Sequence, residues 1–154
     1  MSDTEKILYT SLATVLSGTT VFVIGQLIVK FLIEPIHAMW RFRGEISDSL
    51  IFYAGIYMNV GYVSKELTDE ASEVFRQQAC QLMSRAHLVP CYNFLERLKL
   101  VPGRQNLTEA HKELTGLSNS VYFEIGGPAE PLTRQMEWNK IRRDKIAKLL
   151  NLRI

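Results

Sequence analysis

From Ile7 to Val29 the chain runs for 23 residues without a charge. No other feature narrows its possible folds as much. At 1.5 Å per residue such a run makes roughly 34 Å of helix, enough to cross a hydrocarbon core of about 30 Å. Soluble domains of this size seldom enclose a helix that is apolar on every face. A buried core helix is the competing reading, kept open by the Thr, Ser and Gly that dilute the run. A secretory signal peptide fits poorly: one lysine precedes the run, the run is too long, and no small-x-small site precedes the next charge. Ser2 and Glu5 have capping-box spacing, so the helix is expected to begin at once.

The stretch VKFLIEPIHAMWRFRG, residues 29–44, is where the apolar run ends. Lys30 is expected to snorkel and pair with Glu34 one turn on, and Trp40 suits a membrane–water interface. Arg41 and Arg43 mark a cytoplasmic flank, which puts the N-terminus outside and the body in the cytoplasm. Pro35 implies at least a kink near the headgroups. Within the run, Ser11, Gly18 and Gly25 recur every seven residues, Thr14 lies four before Gly18, and Gln26 is a polar amide at membrane depth. Small residues at this spacing let helix backbones approach closely, so the span is expected to pair with a second copy or another membrane protein.

The overall net charge of +2 hides a strong asymmetry. Before Lys30 the only charges are Asp3, Glu5 and Lys6, whereas residues 132–154 carry seven basic residues against two acids. The expected organisation is all-α: a transmembrane helix over 1–34, a juxtamembrane helix over 35–66 and an antiparallel helical bundle over 67–123. A loop at 124–131 and a basic helix over 132–154 follow. Leu50–Val63 is apolar but too short for a second span, although a two-span hairpin turning at 34–45 is an alternative. Asp69 and Glu70 are expected to open a helix with the stripe Ala71, Phe75, Gln78/Ala79, Leu82, Ala86 and Val89, broken by Pro90. The next segment puts Cys91, Phe94, Leu95 and Leu98 on one face and ends at Pro102-Gly103. Asn106 and Glu109 form another capping-box pattern, ahead of the stripe Leu107, Ala110, Leu114, Leu117 and Val121.

Nothing in the pattern announces a reaction. His37, His87 and His111 are far apart in sequence, and no phosphate-binding Gly-rich loop or metal-ligand spacing occurs. Cys80 and Cys91 read as reduced, small core residues in a reducing compartment, not as a disulfide or zinc site. The acidic patch Glu66, Asp69, Glu70 and Glu73 fits a solvated helix start. Asn106-Leu107-Thr108 matches the glycosylation pattern but carries no meaning in a cytoplasmic body. No cofactor is expected. The basic helix bears Lys140, Arg142, Arg143, Lys145 and Lys148, together with Arg134 and Arg153, and sets Trp138, Ile141, Leu149 and Leu152 roughly on one side. It can lie on anionic lipid, meet an acidic partner, or be a solvated helix whose charges complement its dipole. No nucleic-acid motif accompanies the charge, so no nucleic-acid partner is expected.

FVIGQLIVKFLIEPIHAMWRFRGEISDSLIFYAGIY together with LVPGRQNLTEAHKELTGLSNS resembles a group of small bacterial single-span membrane proteins of unassigned function. The likeness covers residues 15 to 121. It implies a bacterial inner-membrane setting, one N-terminal span and a helical cytoplasmic part, with no activity or functional residue to carry over. The expectation is a membrane-anchored, non-enzymatic protein that self-associates and presents its bundle to partners. The alternative is a homo-oligomeric channel or membrane-permeabilising effector, with Thr14, Ser17, Thr20 and Gln26 as a modest polar lining.

Overall fold

The structure, a computed structural model, describes residues 3–122 and 129–153. Helices account for its regular structure, with no strand among the described residues. Ser2 and residues 124–128 of the expected loop lie outside the described residues; Ala129 already opens the last helix.

Helix α1 (Asp3–Ile28) continues through a π-helical turn, Val29–Ile33, into α2 (Glu34–Phe52), so a single rod runs from Asp3 to Phe52. The wide turn has a cause. Pro35 offers no N–H, and its ring crowds the carbonyl four residues back. One extra residue in the turn before it relieves that crowding, and the Glu34 N–H reaches back to the Val29 carbonyl. Pro35 then sits in the first turn of α2, where its missing donor is tolerated.

The segment 35–66 is not one helix. Tyr53 leaves helical geometry, a short α3 (Ala54–Met58) follows, and Gly61 takes a left-handed φ of 83° in the turn beyond. Helix α4 (Lys65–Leu88) begins four residues ahead of Asp69, after an extended Ser64. It stops where Val89 turns extended before Pro90, the conformation that a following proline favours. Helix α5 (Tyr92–Arg97) starts from Cys91 in a left-handed conformation. Helix α6 (Arg104–Ser120) starts from Gly103, so Asn106 falls inside the first turn and the capping box expected there is not formed. Helix α7 (Ala129–Leu150) closes the fold.

One core joins α2 to α7. Ile36, Met39, Phe42, Ile46 and Leu50 of α2 are buried with Ala71, Phe75, Ala79 and Leu82 of α4, with Leu107, Leu114 and Leu117 of α6, and with Ile146 and Leu150 of α7. One packed unit therefore takes in residues from 35–66, 67–123 and 132–154. Side-chain contacts give the helix directions. Tyr53 donates to Glu70, Gln78 donates to the Ser49 hydroxyl, and the Arg85 guanidinium lies 4.3 Å over the Phe42 ring, so α4 runs back along α2. Likewise Arg76 reaches Asn119 while His111 Nδ1 reaches the Ala79 carbonyl, so α6 opposes α4. Ser120 meets Asn139 and Glu113 meets Lys145, so α7 opposes α6. The α4–α6 connection and the C-terminal end of α7 thus lie at the end of the body from which α1 leaves.

Two faces differ from the sequence reading. In α5 it is Tyr92 and Leu95 that enter the core, while Cys91, Phe94 and Leu98 are exposed. The Tyr92 hydroxyl binds the Pro102 carbonyl, which turns the helix by one position. Cys80 is exposed as well, beside the buried Ala79 of α4, so neither cysteine is the core residue expected. In α7 the buried side is Asn139, Ile146 and Leu150, with Trp138 and Ile141 exposed and Leu149 and Leu152 packed at the core margin. Asn139 accounts for that choice, because its amide donates to the Tyr57 carbonyl at 2.8 Å and its oxygen accepts from Ser120.

Candidate membrane span and the end of the body beside it

Helix α1 is long and apolar enough to cross a membrane. None of its residues is buried, and its apolar side chains are spread around the whole circumference, so no face is set aside for a protein core. Thr10, Thr14 and Thr20 each donate their hydroxyl to the carbonyl four residues back. These polar groups are satisfied within the helix, which removes their cost in an apolar medium. A Cβ added to Gly18 or Gly25 would meet nothing within 4 Å, and Ser11, Thr14 and Gln26 are exposed beside them. The small-residue face therefore has no partner within this chain among the described residues.

The flank has more structure than a row of interfacial side chains. Lys30 and Glu34 are both exposed and form no ion pair with each other. The Trp40 indole donates to the Leu100 carbonyl at 2.8 Å and stacks against His37. It ties the α5–α6 connection to the second turn of α2. Arg41 is exposed. Arg43 is half-buried: one terminal nitrogen donates to the Asn151 carbonyl at the end of α7, while its Nε has no partner among the described residues. That burial lowers the Arg43 guanidinium below its ordinary value. Arg43 also lines a notch of about 460 Å³ with Lys99, Lys148 and Glu96, three cations against one acid.

The basic residues of α7 divide in two. Lys145 is 2.6 Å from Glu113 and also near Glu109, and Arg142 approaches Glu113. Glu113, with Glu109 behind it, raises the Lys145 ammonium above its ordinary value. Arg143 pairs with Asp144. Three of the five named cations are therefore paired with acids of the chain itself, which leaves Lys140 on the outer surface and Lys148 at the notch. A planar guanidinium also covers Gly116, where a Cβ would collide with Arg142.

The histidines do not converge. His37 stacks on Trp40, His87 Nδ1 donates to the Met83 carbonyl and His111 Nδ1 to the Ala79 carbonyl. The acidic patch at the start of α4 is partly used by the fold, since Glu70 accepts from Tyr53 and helps hold that phenol above its ordinary value, behind burial as the main cause. The α5–α6 connection, which the sequence reading ran together with the helix ending at Pro102-Gly103, is held to this end by Trp40. Its signal was present in FLERLKL: apolar residues on both sides of a short helix, alternating with Arg97 and Lys99. No family model, curated protein or solved structure matches this chain.

Proposed function

We propose that the chain is a membrane-anchored, non-enzymatic protein in which α1 and the π turn cross the bilayer and the helical bundle stands on the cytoplasmic side, presented to partners. The exposure of every residue of α1 carries this reading. An apolar helix of this length standing clear of its own core exposes more hydrocarbon than water tolerates, and lipid removes that cost. The span pairs with a second copy through Ser11, Gly18 and Gly25, a face left open by the chain itself. The orientation follows from Arg41 and Arg43 on the C-terminal flank, with the bacterial inner membrane as the setting.

Cysteine labelling tests the topology. In intact cells expressing the full chain with Cys80→Ser and Cys91→Ser, an impermeant thiol reagent should label Ser2→Cys and leave Arg153→Cys untouched. Labelling of both positions, or of Arg153→Cys alone, overturns the topology. Pairing is read separately by cross-linking in membranes, where Gly18→Leu should abolish the dimer. An unchanged dimer in that variant refutes the small-residue interface.

A further inference from the structure

We propose that the α5 segment is a membrane-surface element: Phe94, Leu98 and Leu100 seat in the interfacial layer of the bilayer, with Arg97 and Lys99 against anionic phospholipid headgroups. The proposal rests on α1 being a span, and it holds the bundle against the membrane instead of letting it hang from α2. The first observation is vertical position. Helix α2 descends at about 1.5 Å per residue, so Trp40 lies about 9 Å below Glu34 and Phe52 about 27 Å below it. The Trp40 indole pins Leu100 at its own level. Helix α4 climbs back beside α2, with Arg85 level with Phe42, so Leu88 and α5 beyond it lie nearer the bilayer still. The polar layer of a bilayer is about 5–8 Å thick on each side, which brings the side chains of this segment within its reach.

The second observation is what the segment displays there. Leu88, Phe94 and Leu98 are 74%, 61% and 53% exposed, on the end of the body that faces the span. Tyr92 and Leu95 anchor the same short helix in the core, so its outward apolar residues are held out by a rigid mount. The third observation is charge. Lys99 takes a left-handed φ of 58° at the end of α5, and together with Arg43 and Lys148 it lines the notch behind, against Glu96 alone. Apolar residues interleaved with cations match a negatively charged lipid surface, where each basic residue contributes about 1 kcal/mol. An acidic protein partner would meet the same cations, but it would have to share the narrow space beneath the span with the headgroups.

The test uses the full chain with Cys80→Ser and Cys91→Ser, carrying one environment-sensitive thiol fluorophore at Leu98→Cys, Phe52→Cys or Leu16→Cys. Each variant is reconstituted into phosphatidylcholine–phosphatidylglycerol vesicles containing nitroxide lipids. We expect a blue-shifted, strongly quenched label at 98, a quenched label at 16 and an unquenched label at 52. Phe52 is the control, since it is apolar and more exposed than Leu98 but at the far end of the body. Leu16 lies on the side of α1 opposite Gly18 and Gly25, so pairing of the span does not shield it. A label at 98 that behaves like the one at 52, while 16 stays quenched, overturns the surface element and leaves the span intact. Loss of quenching at 16 overturns the span reading and this proposal with it. Omitting phosphatidylglycerol should reduce quenching at 98; an unchanged signal refutes the role given to Arg97 and Lys99.

Discussion

Asn139→Ala tests the polar lock that sets the rotation of α7. Asn139 is fully buried, donates to the Tyr57 carbonyl at 2.8 Å and accepts from Ser120. In the variant Ser120 keeps its bond to the Leu117 carbonyl, so the group left stranded is the Tyr57 carbonyl. Losing the Ser120 bond costs about 1 kcal/mol, and an unsatisfied buried carbonyl about 1–3 kcal/mol. Alanine returns about 0.6 kcal/mol through its helix propensity. The expected net loss is about 1.5–3.5 kcal/mol. Both tryptophans, Trp40 and Trp138, belong to the body and none to α1, so a urea titration of the full chain in mild detergent, followed by tryptophan emission, reports the body alone. A loss under about 0.5 kcal/mol, the range of an ordinary surface substitution, refutes the lock. Asn139→Asp sharpens the reasoning. Its carboxylate still accepts from Ser120 but opposes the Tyr57 carbonyl, and burial raises its pKa in the folded state. A group so raised favours folding below its unfolded pKa and loses that contribution as pH rises through the folded value. The aspartate variant should therefore recover stability on acidification relative to the alanine variant.

Tyr92→Phe addresses the mount of α5. Burial first, then the nearby Glu96, pushes the Tyr92 phenol up to about 12, against the opposing effect of Arg104. A raised phenol stabilises the fold fully below its unfolded value near 10, and the contribution is lost as pH rises from there toward 12. Wild-type stability should fall over that window, and the phenylalanine variant should fall less steeply; parallel curves in the same urea titration would refute it. Arg85→Ala removes the stack over Phe42 and a long, exposed ion pair with Glu45. The expected loss is about 0.5–1.5 kcal/mol, largely insensitive to added salt because the stack outweighs the solvated pair. A loss that vanishes in high salt would assign the effect to Glu45 instead.

The sequence by itself determined that this chain is helical and that one end differs in kind from the rest. An uncharged run of 23 residues has few alternatives, because burying it on all sides takes more protein than this chain supplies. Periodic stripes were legible for the same reason: Leu107, Ala110, Leu114 and Leu117 of α6, with Val121 at its C-terminal end, repeat at helical spacing and are all buried. Helix starts were less legible. Ser64 and Gly103 open α4 and α6 through backbone geometry, with no side-chain cap bond, so the acidic and capping-box signals five and three residues later pointed past them.

Only the tertiary structure decided which sides of α5 and α7 are buried, and that the segment after the apolar run shares a core with the last helix. Those choices depend on partners distant in sequence. Trp40 finds the Leu100 carbonyl, Arg43 the Asn151 carbonyl, and Asn139 the Tyr57 carbonyl. A short helix carrying apolar residues on two faces can bury either, and a basic helix can give its cations to lipid or to acids of its own chain. For α7 the acids were Glu109 and Glu113, one helix away, and periodicity along α7 carries no trace of them. Local pattern specifies what a segment can become; which face it turns inward is settled by the long-range hydrogen bonds that only a packed core brings within reach.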